Sequence, residues 1–397
     1  MSGTQEQKTY DLAVIGGGIA GAGIARDAAL RGLSVILFEK NTFGSGTSST
    51  SSKLIHGGLR YLETAWSELK RGHIGQALKN FRFVRHALRE THILHRIAPE
   101  LVKPIRLLLP VYRESKRNRV AVYFGCWLYG MLSRLGGAPR GSQILDSPEK
   151  VLALVPSLKK EGLVGGAVVW DHTTDDTALV RATIASAVKA GANALEHCAV
   201  TAFDKEGPGY TLETAHGRYR SKRLVNATGP WVDRTKYLGG ELSRELIVPV
   251  AGAHIEFKKF TELSVILEAP DKRIFFVVDR GERSRIGTTE RAFEDPDAVR
   301  ATDAEIEYLL GAARHYFPGA DLVRERILSS DAGIRPLVKP KKEKAAHQIS
   351  REHEFVMGKG AVVHVLGVKL TDHRRAAEEL VSALFPGTRC RTAREKL

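Results

Sequence analysis

The apolar positions of this chain change rhythm as it proceeds. Residues 12–15 (LAVI) form an unbroken apolar run before a cluster of glycines, the pattern of a strand buried on both faces in a parallel sheet. A helical stretch runs through Leu30, then comes Gly32, then a second apolar strand ending at Glu39. Farther on, Ile74, Leu78, Phe81, Val84 and Leu88 recur at helical spacing, while Lys79, Arg82, His86 and Arg89 recur on another face. That spacing predicts an amphipathic helix with a basic stripe. Residues 173–193 predict another helix, capped by Asp175 or Asp176 and closed by Gly191. Alternation in HIEFKKF (254–260) and RIFFVV (273–278) predicts antiparallel strands, and GPG (207–209) a hairpin turn. RLVNATG (223–229) reads as an apolar strand ending in small residues. A strand from Val362 leads through Gly367 to a helix start around Thr371.

The glycines after the first strand give the pattern its chemistry. Gly16-x-Gly18-x-x-Gly21 lies between a strand and a helix, and Glu39 closes the next strand. In such a unit Gly16 makes the tight turn, Gly18 lets backbone approach a pyrophosphate, and Gly21 lets helix and strand pack closely. The phosphates sit on the helix N-terminus, where unpaired N–H groups and the dipole favour anions. Glu39 stands where a ribose hydroxyl acceptor belongs and disfavours a 2′-phosphate, which leaves NAD and FAD. The fold class expected is α/β: a doubly wound, Rossmann-like dinucleotide-binding layer interleaved with an α+β substrate domain containing an antiparallel sheet. The first is expected from residues 8–68, 165–232 and 330–385, the second from 69–164 and 233–329, with a basic tail at 386–397.

Composition narrows the setting. The 397 residues are 43% hydrophobic and 26% charged, ordinary values for a globular protein. Cys126, Cys198 and Cys390 make no CxxC pair, so neither a disulfide framework nor a metal site is expected, and a reducing compartment is. The N-terminus lacks a basic leader before its apolar run, so no signal peptide is expected. The net charge of +15 is uneven: residues 70–119 hold 13 Lys or Arg against 3 Glu, +10 in that segment alone. The cluster Arg113, Lys116, Arg117 and Arg119 leads into VAVYFGCWLYGML (120–132), a charge-free run of 13 residues. A spanning helix needs about 20. Basic residues beside an aromatic apolar patch read either as a surface lying on an anionic membrane or as a buried core helix. No recognition motif accompanies the charge, so nucleic acid is not expected as a partner. KPKKEK (339–344) reads as a solvated basic loop.

Two later segments favour FAD over NAD. The strand ending at Gly229 is one, and the helix start near Thr371 is the other. A second helix N-terminus suits the negative charge that a reduced flavin develops at N1–C2=O. The first βαβ unit, TSSTSSKLIHGGLRYLE (47–63), VNATGPWVD (225–233), DKRIFFVV (271–278), IGTTE (286–290), GIRPL (333–337) and GVKLTDHR (367–374) together resemble the FAD-dependent glycerol-3-phosphate dehydrogenases. These belong to the larger D-amino-acid-oxidase-like flavoprotein group.

The resemblance implies a function. It is the oxidation of sn-glycerol 3-phosphate to dihydroxyacetone phosphate, with hydride passing from C2 to flavin N5 and electrons delivered to a quinone. It also implies that Thr47, Ser48, Ser49, Ser52 and Lys53 wrap the pyrophosphate and flavin. The His56-Gly57-Gly58 turn brings backbone against the isoalloxazine face, and Arg60 and Tyr61 point toward substrate. Non-covalent FAD is expected on Gly16, Gly18, Gly21, Glu39, Lys40, Val200, Thr228, Gly229, Lys369, Leu370 and Thr371. Imidazole titrates near working pH, which makes His56 the first choice of base, with Arg335 and Lys369 as rivals or partners holding alkoxide or phosphate. Arg60 and Arg335 suit bidentate contact with phosphate oxygens.

The sequence also departs from that family. Val368 replaces a glycine, TDHR replaces TTYR, Glu290 replaces an aspartate, and the helical C-terminal domain usual in the bacterial enzymes is expected to be lacking. Expected partners are a small phosphorylated polyol, a quinone and an anionic membrane surface, with a homodimer possible in principle. The expected location is the cytoplasm, peripherally on the inner face of the membrane. Two other readings stay open: a flavin oxidase or dehydrogenase of another small anionic substrate (a 2-hydroxy acid or amino acid), and, from the charge, a non-catalytic flavin-containing membrane- or tRNA-binding protein.

Overall fold

The computed structural model describes residues 8–138, 141–340 and 353–397. In chain order its elements begin with β1 (Thr9–Ile15), α1 (Ile19–Leu30), β2 (Val35–Phe38), β3 (Leu54–Ile55), α2 (Leu59–Lys70), α3 (Ile74–Ile97), β4 (Val102–Tyr112) and α4 (Arg119–Leu135). Next come β5 (Gln143–Leu145), α5 (Pro148–Leu152), β6 (Leu163–Thr174), α6 (Asp176–Lys189), β7 (Asn193–Leu195), β8 (Val200–Glu206), β9 (Gly209–Thr214), β10 (Gly217–Asn226) and α7 (Val232–Leu238). The last are β11 (Ile247–Lys258), β12 (Ser264–Glu268), β13 (Ile274–Asp279), β14 (Arg283–Gly287), β15 (Arg291–Ala292), α8 (Asp303–Tyr316), β16 (Ser329–Val338), β17 (Glu354–Met357), β18 (Val363–Leu366) and α9 (His373–Leu384).

The first sheet runs β17-β18-β10-β1-β2-β7, with the β8–β9 hairpin attached to β10. Its central pairs, β18/β10, β10/β1, β1/β2 and β2/β7, are all parallel. Leu12 and Val14 face one core, packed with residues of α1, α6 and α9, and Ala13 and Ile15 face another that includes Phe203, Tyr210 and Leu212 of the hairpin. Burial on both faces explains why this strand reads as a continuous apolar run. Asp175 caps α6 by accepting from the Ala178 N–H, and Gly191 follows with φ +100°.

The second sheet is largely antiparallel and runs β15-β11-β14-β13-β12-β4-β6-β3, with β16 on β11 and β5 on β6. One face is covered by α8 through Ile306, Leu309, Leu310 and Ala313. The other is covered by α2, α3 and α4 through Leu62, Val84, Leu88, Cys126, Tyr129 and Leu132. The α/β class with an antiparallel second sheet is therefore present. Its partition differs from the expected ranges: β3, β6 and β16 lie in the second sheet, although they fall in segments assigned to the dinucleotide layer. Pattern could not place them, because a strand's sheet is decided by partners far away in the chain.

Two further features go beyond what the spacing predicts. The buried face of α3 is Ala77, Asn80, Val84, Ala87, Leu88 and Thr91, whereas Ile74 and Leu78 are exposed at 60% and 52%. The first turns of α3 lean on α2 and place their large apolar side chains outward. The basic segment 386–397 packs on the rest of the chain: Thr392 is buried, Arg26 donates to the Glu395 carbonyl, and Leu397 N–H donates to Ile97 O. Of KPKKEK, residues 341–344 lie outside the described residues. Among the described residues no helix is long and apolar enough to cross a membrane.

Candidate active site

The β1–α1 turn is shaped by contacts that exclude side chains. A Cβ on Gly21 would lie 1.9 Å from Gly16 O, and one on Gly16, whose φ is +107°, would lie 2.7 Å from Ala227 O. Helix α1 therefore starts hard against β1, and β1 hard against the end of β10. Gly18 is the N-cap of α1 and offers no side-chain cap; the Ile19 N–H instead donates to Ser48 Oγ at 3.0 Å. A Cβ on Gly18 would close the gap to Ser48 Oγ to 3.2 Å. At the end of β2, Glu39 accepts from the Gly17 and Asn41 N–H groups at 2.7 and 2.8 Å. A helix N-terminus over a side-chain-less turn, with a carboxylate at the next strand end, fits a dinucleotide's pyrophosphate and ribose. Thr228 and Gly229 back this turn: Thr228 bonds to Asn226 Oδ1, and Gly229 has φ +57°. Val200, the first residue of β8, is buried with Ile15 and Phe38 in the core on that side of the sheet. Lys40 pairs with Asp297 and lies over the Trp231 ring.

The segment from Thr47 to Tyr61 joins the two sheets. Thr47 Oγ1 donates to Ile334 O at 2.6 Å, and Gly333 has no room for a Cβ because Thr50 Oγ1 would lie 1.9 Å from it. Ser48 reaches α1, and Ser49 Oγ turns back to Gly46 O. Lys53, at φ +59°, commits its ammonium to Asp176 and to Ser49 O, so in this structure it clamps the loop. The His56 N–H donates to Thr371 Oγ1 at 3.1 Å, which ties the His-Gly-Gly turn to the segment before α9. Lys369 Nζ donates to Tyr61 OH at 2.9 Å and lies 4.2 Å from the Phe83 ring centroid. Leu370 O accepts from His373 Nδ1. The side chain of Arg60 lies outside the described residues; its backbone is in the first turn of α2. Arg335 donates to Thr288 Oγ1, Thr289 O and Glu290 Oε1, and its guanidinium lies over Gly252.

Beneath the serine loop is a charged floor. Arg285, 2% exposed, holds both Asp331 oxygens at 2.7 Å, reaches Glu256, and donates to Ser51 O. Burial works against the charge of Asp331, but the neighbouring His254 and the guanidinium hold its carboxyl well below the usual range. His254 Nε2 and Ser52 Oγ are 3.0 Å apart, and burial pushes the imidazole down to about 4, so it is neutral at working pH. Beneath the next turn, Asp171 accepts from the Gly57 N–H and the Tyr129 hydroxyl, and burial raises its carboxyl to about 7.

Serine-loop, GIRPL and GVKLT residues thus converge as contacts, whereas His254, Arg285, Asp331, Asp171 and Tyr129 were not singled out from sequence. One signal was available. Ala167, Val169 and Asp171 alternate on the core-facing side of β6, so the acid occupies an apolar register.

Residues 11–369 match the family model described as FAD dependent oxidoreductase. The chain is 34% identical to a glycerol-3-phosphate dehydrogenase of Synechocystis sp., over 96% of this chain and 70% of that protein. It is 36% identical to the D-erythritol 1-phosphate dehydrogenase of Brucella abortus, over 94% and 73%. Among solved structures it is similar to the glycerol-3-phosphate dehydrogenase of Bacillus halodurans complexed with FAD, with a TM-score of 0.75 and 28% identity over 97% of this chain and 67% of that one. These relatives are longer than the stretch they share with this chain, which spans 52% of a probable mitochondrial glycerol-3-phosphate dehydrogenase of Caenorhabditis elegans.

Proposed function

Because the chain belongs to the FAD-dependent oxidoreductase family, we propose that it oxidises the secondary alcohol of a small polyol phosphate, with sn-glycerol 3-phosphate as first substrate. The observation that carries this reading is the convergence of the His56–Tyr61 segment on Thr371 and Lys369, beside a dinucleotide cradle. Non-covalent FAD, when bound, supplies the two-electron acceptor for the substrate hydride. His56 takes the substrate hydroxyl proton, and Lys369, steadied by Tyr61 OH, offers positive charge to the developing alkoxide. Arg335, fixed by Thr288 and Glu290, together with Arg60, recognises the phosphate. The apolar packing of Phe83 and Tyr61 around Lys369 strengthens these charges by limiting water.

Anaerobic mixing of the yellow holoprotein with sn-glycerol 3-phosphate is expected to bleach the flavin absorbance within one turnover. Bleaching by D-erythritol 1-phosphate alone would move the substrate to the four-carbon homologue, which the similarity to the Brucella enzyme makes the second candidate. No bleaching by either would remove the polyol-phosphate reading.

The electron acceptor proposed is a quinone, reached from the membrane surface. Trp66, Leu69, Leu78, Phe124, Trp127 and Leu135 are all exposed on α2, α3 and α4, and the Trp66 and Phe124 rings are 5.8 Å apart. Exposed Arg113, Lys116 and Arg119 stand at the start of α4. Apolar side chains beside basic ones suit an anionic leaflet, each basic residue contributing about 1 kcal/mol. Holoprotein is expected to float with phosphatidylserine vesicles at low salt and to leave them at high salt; failure to float would reassign the face.

A further inference from the structure

The His56–Gly58 turn rests on a buried acid that the reaction above does not use. Asp171 is 4% exposed and Tyr129 is 0% exposed. The Gly57 N–H is shared between Tyr129 OH at 2.9 Å and Asp171 Oδ1 at 3.2 Å, and Tyr129 OH donates to Asp171 Oδ2 at 2.7 Å. The turn cannot move toward this pair with any other residue at 57, since a Cβ there would lie 2.4 Å from Leu88 Cδ2 and 2.7 Å from Tyr129 OH. On its other side the turn is pinned by the bond from His56 N–H to Thr371.

No cation accompanies Asp171 among these contacts. From α4 it faces Tyr129, with Cys126 beside that ring, and from the turn it faces the Gly57 amide. His92, His95 and His172 form a ring cluster at the next position of β6, which points to the opposite side. Burial pushes His172 down to about 3, so that ring supplies no charge from there. Lys53 approaches the end of β6 paired with Asp176, and Arg280 donates to Thr174 O. An apolar residue at 171 would be cheaper to bury than a carboxyl, so what the acid adds is its bonds to Gly57 and Tyr129.

We propose that Asp171, with Tyr129, is the positioning residue of the site: it sets the height of the Gly57 backbone against the flavin ring, and the turn shifts when the carboxyl changes protonation. This rests on the flavin reading of the turn given above. Ionised, the carboxylate accepts from both Gly57 and Tyr129; protonated on the oxygen facing Tyr129, it donates to that hydroxyl instead, and the Gly57 N–H is left with a neutral acceptor. Charge-assisted bonds are the stronger ones, so the ionised state holds the turn more tightly. Its change near pH 7 falls where turnover is measured.

The test uses holoprotein of wild type, Asp171→Asn and Tyr129→Phe, followed by visible circular dichroism of the bound flavin from acid to alkaline pH. The wild type is expected to show an inflection near pH 7 that Asp171→Asn lacks, with FAD content per chain unchanged in both variants. With substrate and a soluble dye, kcat is expected to fall by about tenfold to a hundredfold, with KM nearly unchanged, as for a reacting geometry displaced by a fraction of an ångström. The same inflection in Asp171→Asn as in wild type overturns the proposal. So does a fall in kcat that merely parallels loss of FAD. If wild-type flavin shows the inflection but no polyol phosphate bleaches it, the substrate reading fails and the positioning role stands.

Discussion

The cradle around Gly16, Gly18 and Gly21 is made of backbone held at close approach, with Glu39 as its acid. The floor under Ser51 and Ser52 instead packs Arg285, Glu256, Asp331 and His254 against one another. The two halves of one site therefore fail in different ways. A cradle fails by collision, since a new Cβ has nowhere to go. A charged floor fails by desolvation, since removing one member leaves its partners buried without compensation. A cradle can be written as spacing in sequence; a floor is written only as the meeting of β11, β14 and β16.

The largest effect is expected in the floor. Arg285→Met keeps the volume but leaves Asp331 without its cation and Glu256 with Arg283 alone, and should cost about 3 kcal/mol of stability in denaturant titration. A loss under about 1 kcal/mol would mean that water already screens the cluster. In the cradle, Gly21→Ala sets a Cβ against Gly16 O and should cost about 1–3 kcal/mol and lower the bound FAD per chain. Full FAD occupancy with wild-type stability would show that α1 can slide away from β1.

A smaller, pH-dependent effect separates the halves further. His353 lies between Asp372 and Glu379, at the entry to α9. Burial opposes its charge, yet the two carboxylates raise it from 6.5 to about 9. A raised folded-state value means that the stabilisation is complete below pH 6.5 and is lost as pH rises through about 9. Melting temperature should therefore decline across that window in wild type and decline less in His353→Gln. Equal slopes would remove His353 as the cause. The smallest effect is expected at Asp297, whose bonds to Lys40, Trp231 and Arg234 are solvent-exposed. Asp297→Ala should change stability by less than about 1 kcal/mol, and less again in high salt.

Local signals were enough for the opening βαβ unit, the cap of α6 by Asp175 and the hairpin at Gly207, because each depends on residues a few positions apart. They also identified the segments that converge, since loops rich in Ser, Thr and Gly stand out from strands and helices. They did not show that Lys53 turns to Asp176, that the first turns of α3 expose Ile74 and Leu78, or that residues 386–397 pack on α1 and α3. Each of these depends on a partner 123 or more positions away or on the surface that a neighbouring helix offers.

The sequence by itself determined the dinucleotide cradle, because its geometry is a property of glycine and of short spacing. Only the tertiary structure decided which buried charges meet. Sheet pairing brings His254 beside Asp331 and lays Asp171 under Gly57, and the dielectric around them comes from the whole packed chain rather than from any stretch of it.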